Sequence, residues 1–250
     1  MNDTKEVALE KAGGQAPSRA SAPSHPEINL SKDLKNRGCP VCNHLEKGLF
    51  DFLAQWQYEL SNNEKMQHEF ADELGFCPAH TWQLASMSSP YGLSKGFPQL
   101  LEHIAKKMSE LTPSTCRSAK IADEIARLVK KPETCRVCRL LGGAEQIYIN
   151  RLAAFLENQE GRLIYMHSDG VCLRHLSLIT SSASNEVVYF LIAESARHLR
   201  EIITNMQRYV EKHDAYESHL LNQDERYAYL RALTHIFSAR NICAPHVKRV

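Results

Sequence analysis

The sequence predicts a mainly α-helical protein built from two tandem helical modules, an internal duplication. Apolar residues recur at three- and four-residue intervals through most of the chain, which is typical of helices that face a core. A set of cysteines and histidines is also repeated together with the helix that follows it. The predicted segments are a disordered tail at 1–35, a first module at 36–115, a helical connector at 116–134, a second module at 135–240 and a tail at 241–250.

The predicted tail at 1–35 mixes Ala, Gly, Ser, Pro and charged residues without an apolar period, so it has too little apolar surface to offset its ordering entropy. Its first residues lack the apolar segment of a secretory signal, and we expect a cytoplasmic protein. The longest apolar run, residues 187–193, is far shorter than the roughly 20 residues of a membrane-spanning helix. We therefore expect no membrane association.

The first helix of each module begins at a CxxC motif. In the first module its apolar positions form one stripe: Val41, Leu45, Leu49, Phe52, Leu53, Trp56 and Leu60. Adding 96 to each number gives Val137, Leu141, Glu145, Tyr148, Ile149, Leu152 and Leu156. Only Glu145 breaks the match, so the repeat extends from the motif into the packing face of the helix behind it.

Shorter segments follow in each module. Residues 63–74 are predicted as a helix, while 159–169 leave helix and strand both open. Further helices are predicted at 78–87, 97–111, 118–131, 173–180, 185–213 and 220–237.

Two of these predictions specify a packing face. The helix at 185–213 is expected to be a central packing element, with a core-facing stripe of Val188, Ile192, Ala196, Leu199, Ile203, Met206 and Val210. The last helix is expected to carry Leu220, Tyr227, Leu230 and Phe237.

Two matched sets of metal ligands stand out. Each pairs a CxxC motif with a Gly-x-Cys-x-x-His motif 33 or 34 residues later: Cys39, Cys42, Cys77 and His80 in the first module, and Cys135, Cys138, Cys172 and His175 in the second. Three thiolates and one imidazole suit tetrahedral structural zinc, and we predict two zinc ions. An iron–sulfur cluster is the alternative, although such clusters usually take four thiolates.

The local sequence around the ligands supports their convergence. A cysteine and a histidine three residues apart on a helix lie one turn apart on the same face, so both can reach one ion. Gly75 and Gly170 suit a tight turn before the third cysteine of each set. Arg136, Arg139 and Arg174 could offset the negative charge of the second set, or remain solvated.

The pairing of the half-sites is not specified by the sequence. Each module could close its own site, or the two modules could exchange half-sites using the same eight residues. Local pairing closes shorter loops, and on that ground we expect it.

Other cysteines and histidines receive no assigned role. Cys243 and His246 form a third CxxH, but no second CxxC remains to complete it, and Cys116 stands alone. A thioredoxin-like dithiol would need a βαβ context, which the helical pattern does not supply.

The functional class follows from the ligand count. Four protein ligands leave no open position on the metal, and no common catalytic motif occurs, so the sequence favours a non-catalytic protein. We expect a zinc-binding helical scaffold or adaptor with an unidentified protein partner. An iron–sulfur or thiol-based redox protein is the first alternative. A zinc-dependent nucleic-acid-binding regulator is the second, and the net charge of +1 does not favour it.

The CPVC motif at Cys39–Cys42 and the GFCPAH motif at 75–80, each leading into a helix, resemble a group of prokaryotic helical proteins with paired CPxC and GxCxxH motifs. The resemblance spans about residues 38–237. It implies the metal-ligand interpretation without implying an activity. The second module departs from the pattern at Arg136, where the first has Pro40.

Overall fold

The computed structural model describes residues 27–111 and 118–239, and within these ranges it contains helices and no strand. The mainly α-helical class is confirmed. The helices of the first part of the chain are α1 (Leu30–Asp33), α2 (Pro40–Asn62), α3 (Glu64–Asp72), α4 (Pro78–Met87), α5 (Pro90–Gly96) and α6 (Pro98–Ser109).

The second part of the chain repeats the order of a long helix and two short ones after its CxxC motif. Its helices are α7 (Ser118–Leu128), α8 (Arg136–Leu156), α9 (Gln159–Met166), α10 (Leu173–Thr180), α11 (Asn185–Asp214), α12 (Gln223–Arg226) and α13 (Ala228–Phe237). Short 3-10 turns at Pro132–Thr134 and Ser218–Leu220 precede α8 and α12. The segment left open as helix or strand is thus the helix α9. The internal duplication and the module boundaries stay predictions.

The core lies where α2 and α8 pack against each other. All seven residues of the stripe predicted on α2 are buried, and so are its six apolar or aromatic counterparts on α8. The rings of His44 and Tyr148, one from each helix, have centroids 4.9 Å apart. Helical periodicity therefore identified the packing faces of both long helices that begin at a CxxC motif.

Helix starts follow local sequence rules. Pro40, Pro78, Pro90 and Pro98 each occupy the first position of a helix, where the missing amide hydrogen costs nothing and the fixed φ suits the turn. The side chain of Ser184 accepts a hydrogen bond from the amide of the third residue of α11.

Ordered structure begins before residue 36. Leu34, which follows α1, is buried, and the Tyr148 hydroxyl donates to Asp33 at 3.1 Å. The expected disorder therefore does not hold for residues 27–35. Residues 1–26 and the tail at 241–250 lie outside the described residues.

The packing face predicted for α11 is wrong. The residues that α11 buries are Val187, Leu191, Glu194, Ser195, His198, Ile202 and Asn205. Of the predicted stripe, Ile192, Ile203, Met206 and Val210 are exposed to solvent. Periodicity reports that a helix has an apolar side, but it does not report whether that side contacts the same chain.

The last predicted helix is broken into a 3-10 turn, α12 and α13. Asn222 and Glu225 form a capping box that starts α12, with each side chain bonded to the other residue's amide. The four apolar residues predicted to define this helix, Leu220, Tyr227, Leu230 and Phe237, are all exposed.

The core assignment predicts opposite outcomes for two neighbouring phenylalanines of α2. Phe52 is 2% exposed and Phe50 is 59% exposed. Phe52→Ala should lower the free energy of unfolding by about 3–5 kcal/mol, because it leaves a cavity between α2 and its neighbours. Phe50→Ala, the matched control, should change it by less than about 0.5 kcal/mol. Urea unfolding followed by circular dichroism measures both, and equal losses would contradict the assignment.

Candidate metal centres

The eight predicted ligand residues form two buried clusters. The first, site 1, contains Cys39, Cys42, Cys172 and His175, and the second, site 2, contains Cys77, His80, Cys135 and Cys138. Within each cluster the ligand atoms all lie within 4.8 Å of one another. Each cluster could hold a metal ion.

The expected local pairing is wrong, because each site joins the CxxC motif of one half to the CxxH motif of the other. The expectation rested on loop length. Cys39 and His175 are 136 residues apart, about three times the separation of Cys39 from His80. That difference costs only about 1 kcal/mol of loop-closure free energy. Packing of α2 against α8 outweighs it, since each large apolar side chain buried there contributes roughly 1.5–3 kcal/mol.

Site 1 is compact around the imidazole of His175. Its Nδ1 lies 3.1 Å from the sulfur of Cys172, 3.3 Å from that of Cys39 and 3.5 Å from that of Cys42. The sulfurs of Cys42 and Cys172 are 3.8 Å apart. All four residues are at most 3% exposed, so water has little access to the ligand atoms.

Site 2 has nearly the same geometry. The Nδ1 of His80 lies 3.3 Å from the sulfur of Cys77, 3.4 Å from that of Cys138 and 3.7 Å from that of Cys135. The sulfurs of Cys77 and Cys138 are 3.8 Å apart. The amide of Cys77 also donates to the Cys135 sulfur at 3.4 Å, so a turn amide of one half stabilises a thiolate of the other.

Two helix N-termini meet at each site. Cys39, Cys77, Cys135 and Cys172 are the N-cap residues of α2, α4, α8 and α10, and none of these caps is closed by a side-chain hydrogen bond. The remaining ligand of each motif lies in the first turn of the same helix. Free amide hydrogens and the positive end of the helix dipole favour negative charge at this position. The fold thus directs two partial positive charges at each group of three thiols.

The three arginines beside the second set of ligands each contact an oxygen acceptor. Arg136 pairs with Glu73, Arg174 pairs with Glu145 at 2.8 Å, and Arg139 donates to the carbonyl of Thr134 at 2.6 Å. The guanidinium of Arg136 also lies 4.9 Å from the ring centroid of Trp56. Arg136 starts α8 as Pro40 starts α2, and Cys135 keeps the extended backbone of Cys39, so the substitution leaves the motif geometry unchanged.

Glycine is required in the turn before each third cysteine. Gly75 and Gly170 have φ values of 69° and 73°, in the left-handed region that side chains disfavour. A Cβ on Gly170 would lie 2.7 Å from the Nδ1 of His198. The turn prediction is confirmed at both positions.

An acidic residue precedes each of these glycine turns and forms hydrogen bonds or ion pairs with residues of the opposite half. At site 1, Asp169 accepts a hydrogen bond from the amide of Gly38 at 2.7 Å and pairs with Arg37 and Arg231, each at 3.5 Å. Gly38 directly precedes the first ligand of that site.

At site 2, Glu73 has the equivalent function. It pairs with Arg136, which lies between the two cysteines of the second CxxC motif. The backbone carbonyl of Glu73 also accepts a hydrogen bond from Lys130. Sequence reasoning missed both acids, although Asp169 stands one residue before Gly170 and Glu73 stands two residues before Gly75.

Glu145 contacts a residue of site 1. The sequence marked its position only as the break in the repeated apolar stripe. Nε2 of His175 lies 3.0 Å from the Glu145 carboxylate, which can only accept, so Nε2 carries a proton and donates it to Glu145. Such a carboxylate orients an imidazole ligand and raises its basicity. The corresponding position of the first half is Leu49, which offers no acceptor. The one break in the repeated stripe therefore marks a chemical difference between the two halves.

The pKa shifts of the three thiols of site 2 differ in direction. The hydrogen bond from Cys138 lowers the pKa of Cys135 to about 3, and the same pairing, together with burial, raises the pKa of Cys138. Burial, followed by the nearby charge of Cys135, also raises the pKa of Cys77. One thiolate is therefore favoured, and further ionisation is opposed unless a cation offsets it.

Site 1 follows the same pattern. Hydrogen bonds from Cys39 and Cys42 lower the pKa of Cys172, whereas burial, followed by the hydrogen bonds with Cys172 and Cys42, raises the pKa of Cys39. Burial alone would lower the pKa of His175, but its bonds to Cys172, Cys42 and Glu145 raise that pKa to about 11. Without a metal, the site accordingly favours a thiolate paired with an imidazolium.

Three residues left without a role, Cys116, Cys243 and His246, lie outside the described residues. Among the described helices, none combines the length and the apolar character that a bilayer span requires.

Comparison with known proteins shows one relationship. No curated protein and no solved structure matches the chain. A model of a protein family does match, over residues 26–228, which include all eight ligand residues. This agrees with the resemblance seen in the motifs, and the chain belongs to the family of unknown function DUF6062.

Proposed function

We propose that this chain is a zinc-binding, non-catalytic scaffold or adaptor of the cytoplasm, in which two structural Cys3His sites hold the two halves together. The observation that carries the proposal is the geometry of the ligand atoms. Four ligands around one zinc ion, with Zn–S of about 2.3 Å and Zn–N of about 2.0–2.1 Å, lie about 3.8 Å apart for two sulfurs and about 3.5 Å for sulfur and nitrogen. In each site one pair of sulfurs lies 3.8 Å apart, and the sulfur–nitrogen distances of the two sites span 3.1–3.7 Å.

The same distances argue against the iron–sulfur alternative. A cluster distributes its ligands over two or more irons with sulfides between them, which requires more space than a single ion does. Here all four ligand atoms of each site lie within 4.8 Å of one another. The donor set of three thiols and one imidazole also favours zinc.

A structural role is favoured over a catalytic one by the closed ligand set. A catalytic zinc retains a position for water or substrate, whereas each site here offers four buried protein ligands. Three thiolates and a neutral imidazole would leave each zinc centre with a net charge of −1. The two helix N-termini at each site are suited to that charge.

The cytoplasmic location and the protein partner belong to the same proposal. The six cysteines of the two sites are free of disulfides, as suits metal ligands in a reducing compartment. Exposed apolar side chains on α13, among them Leu233 and Phe237, offer a surface of the kind that binds other proteins. The nucleic-acid alternative rests on the arginines around the second CxxC motif. Two of these, Arg136 and Arg174, pair with carboxylates, which does not favour that alternative.

Metal analysis tests the identity of the bound ion. We expect two zinc ions per chain and a colourless protein after anaerobic purification. Removal of both ions with a chelator should unfold the helices, because a site of this type contributes on the order of 10 kcal/mol to folding. A brown protein with visible absorption would support the iron–sulfur alternative. Unchanged circular dichroism after complete zinc removal would contradict a structural role.

Paired cysteine substitutions test the exchange of half-sites. The double variant Cys42→Ser/Cys172→Ser alters site 1 twice and should retain one zinc ion per chain, bound at site 2. The matched variant Cys42→Ser/Cys77→Ser alters both sites once and should retain none at full affinity. Local pairing predicts the reverse pattern, so mass spectrometry of the metal content distinguishes the two arrangements.

Glu145 should tune site 1 alone. Glu145→Leu introduces the residue found at the equivalent position of the first half and removes the acceptor for His175. We expect one of the two zinc ions to bind about 10–100-fold more weakly. The control Glu145→Gln keeps an acceptor oxygen and should lose less. Competition with a chromophoric chelator measures both affinities, and wild-type release of both ions from the leucine variant would rule out this role.

A further inference from the structure

A cleft of about 370 Å³ opens to solvent beside site 1. It lies between the chain around the start of α2, the helix α11, and the pair α12 and α13. Cys39 of site 1 and the buried Ile202 of α11 are among its lining residues. A cavity of roughly 150 Å³ holds one benzene ring. The cleft therefore has space for a molecule of one or two aromatic rings with a polar group.

The helix α13 presents one face to the cleft. The lining residues of this helix and its N-cap follow the spacing of a single helix face: Tyr227, Leu230, Arg231, Thr234 and His235. Two of them, Tyr227 and Leu230, belong to the apolar set that the sequence predicted for the last helix. Each is 45% exposed, since it lines the cleft and not the core. The cleft thus has an apolar side against which a ring can pack.

Five charged side chains line the cleft, and four of them pair with one another. Arg37 lies 2.6 Å from Asp224, and both Arg37 and Arg231 lie 3.5 Å from Asp169. The formal charges of these four residues sum to zero, and Glu46 adds a fifth, negative charge. A bound anion would meet three carboxylates against two guanidinium groups, and this balance disfavours it.

Two buried polar atoms of the cleft face are unpaired. Nη1 of Arg231 and Nε2 of His235, four residues apart on α13, have no hydrogen-bond partner within residues 27–111 and 118–239. His235 is 6% exposed, and Asp224 lies 3.8 Å from Nη1 of Arg231, beyond hydrogen-bond distance. An unpaired buried polar atom loses its hydration without compensation. Because Nη1 can only donate, a partner for Arg231 must be an acceptor.

We propose that the cleft is a binding site for a neutral aromatic amide. Its ring packs on Tyr227 and Leu230, and its carbonyl oxygen accepts a hydrogen bond from Nη1 of Arg231. An amide carries both an acceptor and a donor, so it can also pair with Nε2 of His235 in either tautomer. A cation of the same shape offers no acceptor, and an anion meets the surplus carboxylate. The proposal does not depend on the metal that site 1 holds.

Three probes of one shape and different charge test the ligand class: benzamide, benzoate and benzamidine, which is a cation at neutral pH. Each is titrated into the full metal-loaded chain, with the isoleucine methyl groups labelled with ¹³C for NMR. Benzamide should shift the Ile202 methyl signal with a dissociation constant on the order of 1–10 mM, as suits a ligand of its size. Ile236, on α13 but outside the cleft lining, is the internal control and should not shift.

The charged probes decide whether the ligand is neutral. Benzoate and benzamidine should each bind at least fivefold more weakly than benzamide. Equal or tighter binding of either charged probe would overturn the neutral-ligand assignment. An Ile202 signal that none of the three probes moves, at tenfold the expected dissociation constant, would overturn the site itself.

Bulky substitutions on α13 test the location. Thr234→Phe places a ring in the cleft and should weaken benzamide binding at least tenfold. Leu233→Phe, the matched control, adds a ring at a 51% exposed position outside the cleft lining and should change binding less than twofold. A folded Thr234→Phe variant with wild-type affinity would rule out this cleft. Should that variant lack the circular dichroism or metal content of the wild type, Leu230→Trp provides the same comparison.

Discussion

The exchange of ligands between the two halves is the constraint on which the rest of the structure depends. Cys39 and Cys42 can meet Cys172 and His175 only if α2 and α10 bring their N-termini together, and site 2 demands the same of α8 and α4. The packing of α2 on α8 makes both meetings possible. Neither half can move away from the other without opening both clusters, so a metal ion in each cluster would cross-link the two halves.

The surroundings of the clusters support the same arrangement. Each N-terminal cysteine caps its helix without a competing side-chain bond, which leaves amide hydrogens free near the sulfurs. Asp169 and Glu73 then connect the glycine turn of one half to residues beside the CxxC motif of the other. The ligand loops are therefore positioned by contacts that do not themselves require a metal.

The two sites are similar in geometry and different in chemistry. At site 1 a carboxylate, Glu145, accepts the ring proton of His175, and Arg174 pairs with that carboxylate. The first half has Leu49 in place of Glu145. Two clusters of similar geometry could in this way hold two ions with unequal affinity, because a hydrogen bond to the outer nitrogen changes the basicity of a histidine ligand.

The amino-acid sequence by itself identified the eight cysteines and histidines of the two clusters, the helical class, the buried faces of α2 and α8, and the need for glycine at 75 and 170. Each follows from local rules: ligand chemistry, helical periodicity and backbone sterics. Only the tertiary structure decided the partners of each half-site, the bond from His175 to Glu145, and the side of α11 that faces the body. Loop closure differs by only about 1 kcal/mol between the two pairings, so the choice belongs to the packing of helices distant in sequence. Helical period does not depend on which side of a helix meets the body of the protein, and spacing alone therefore could not identify the buried side of α11.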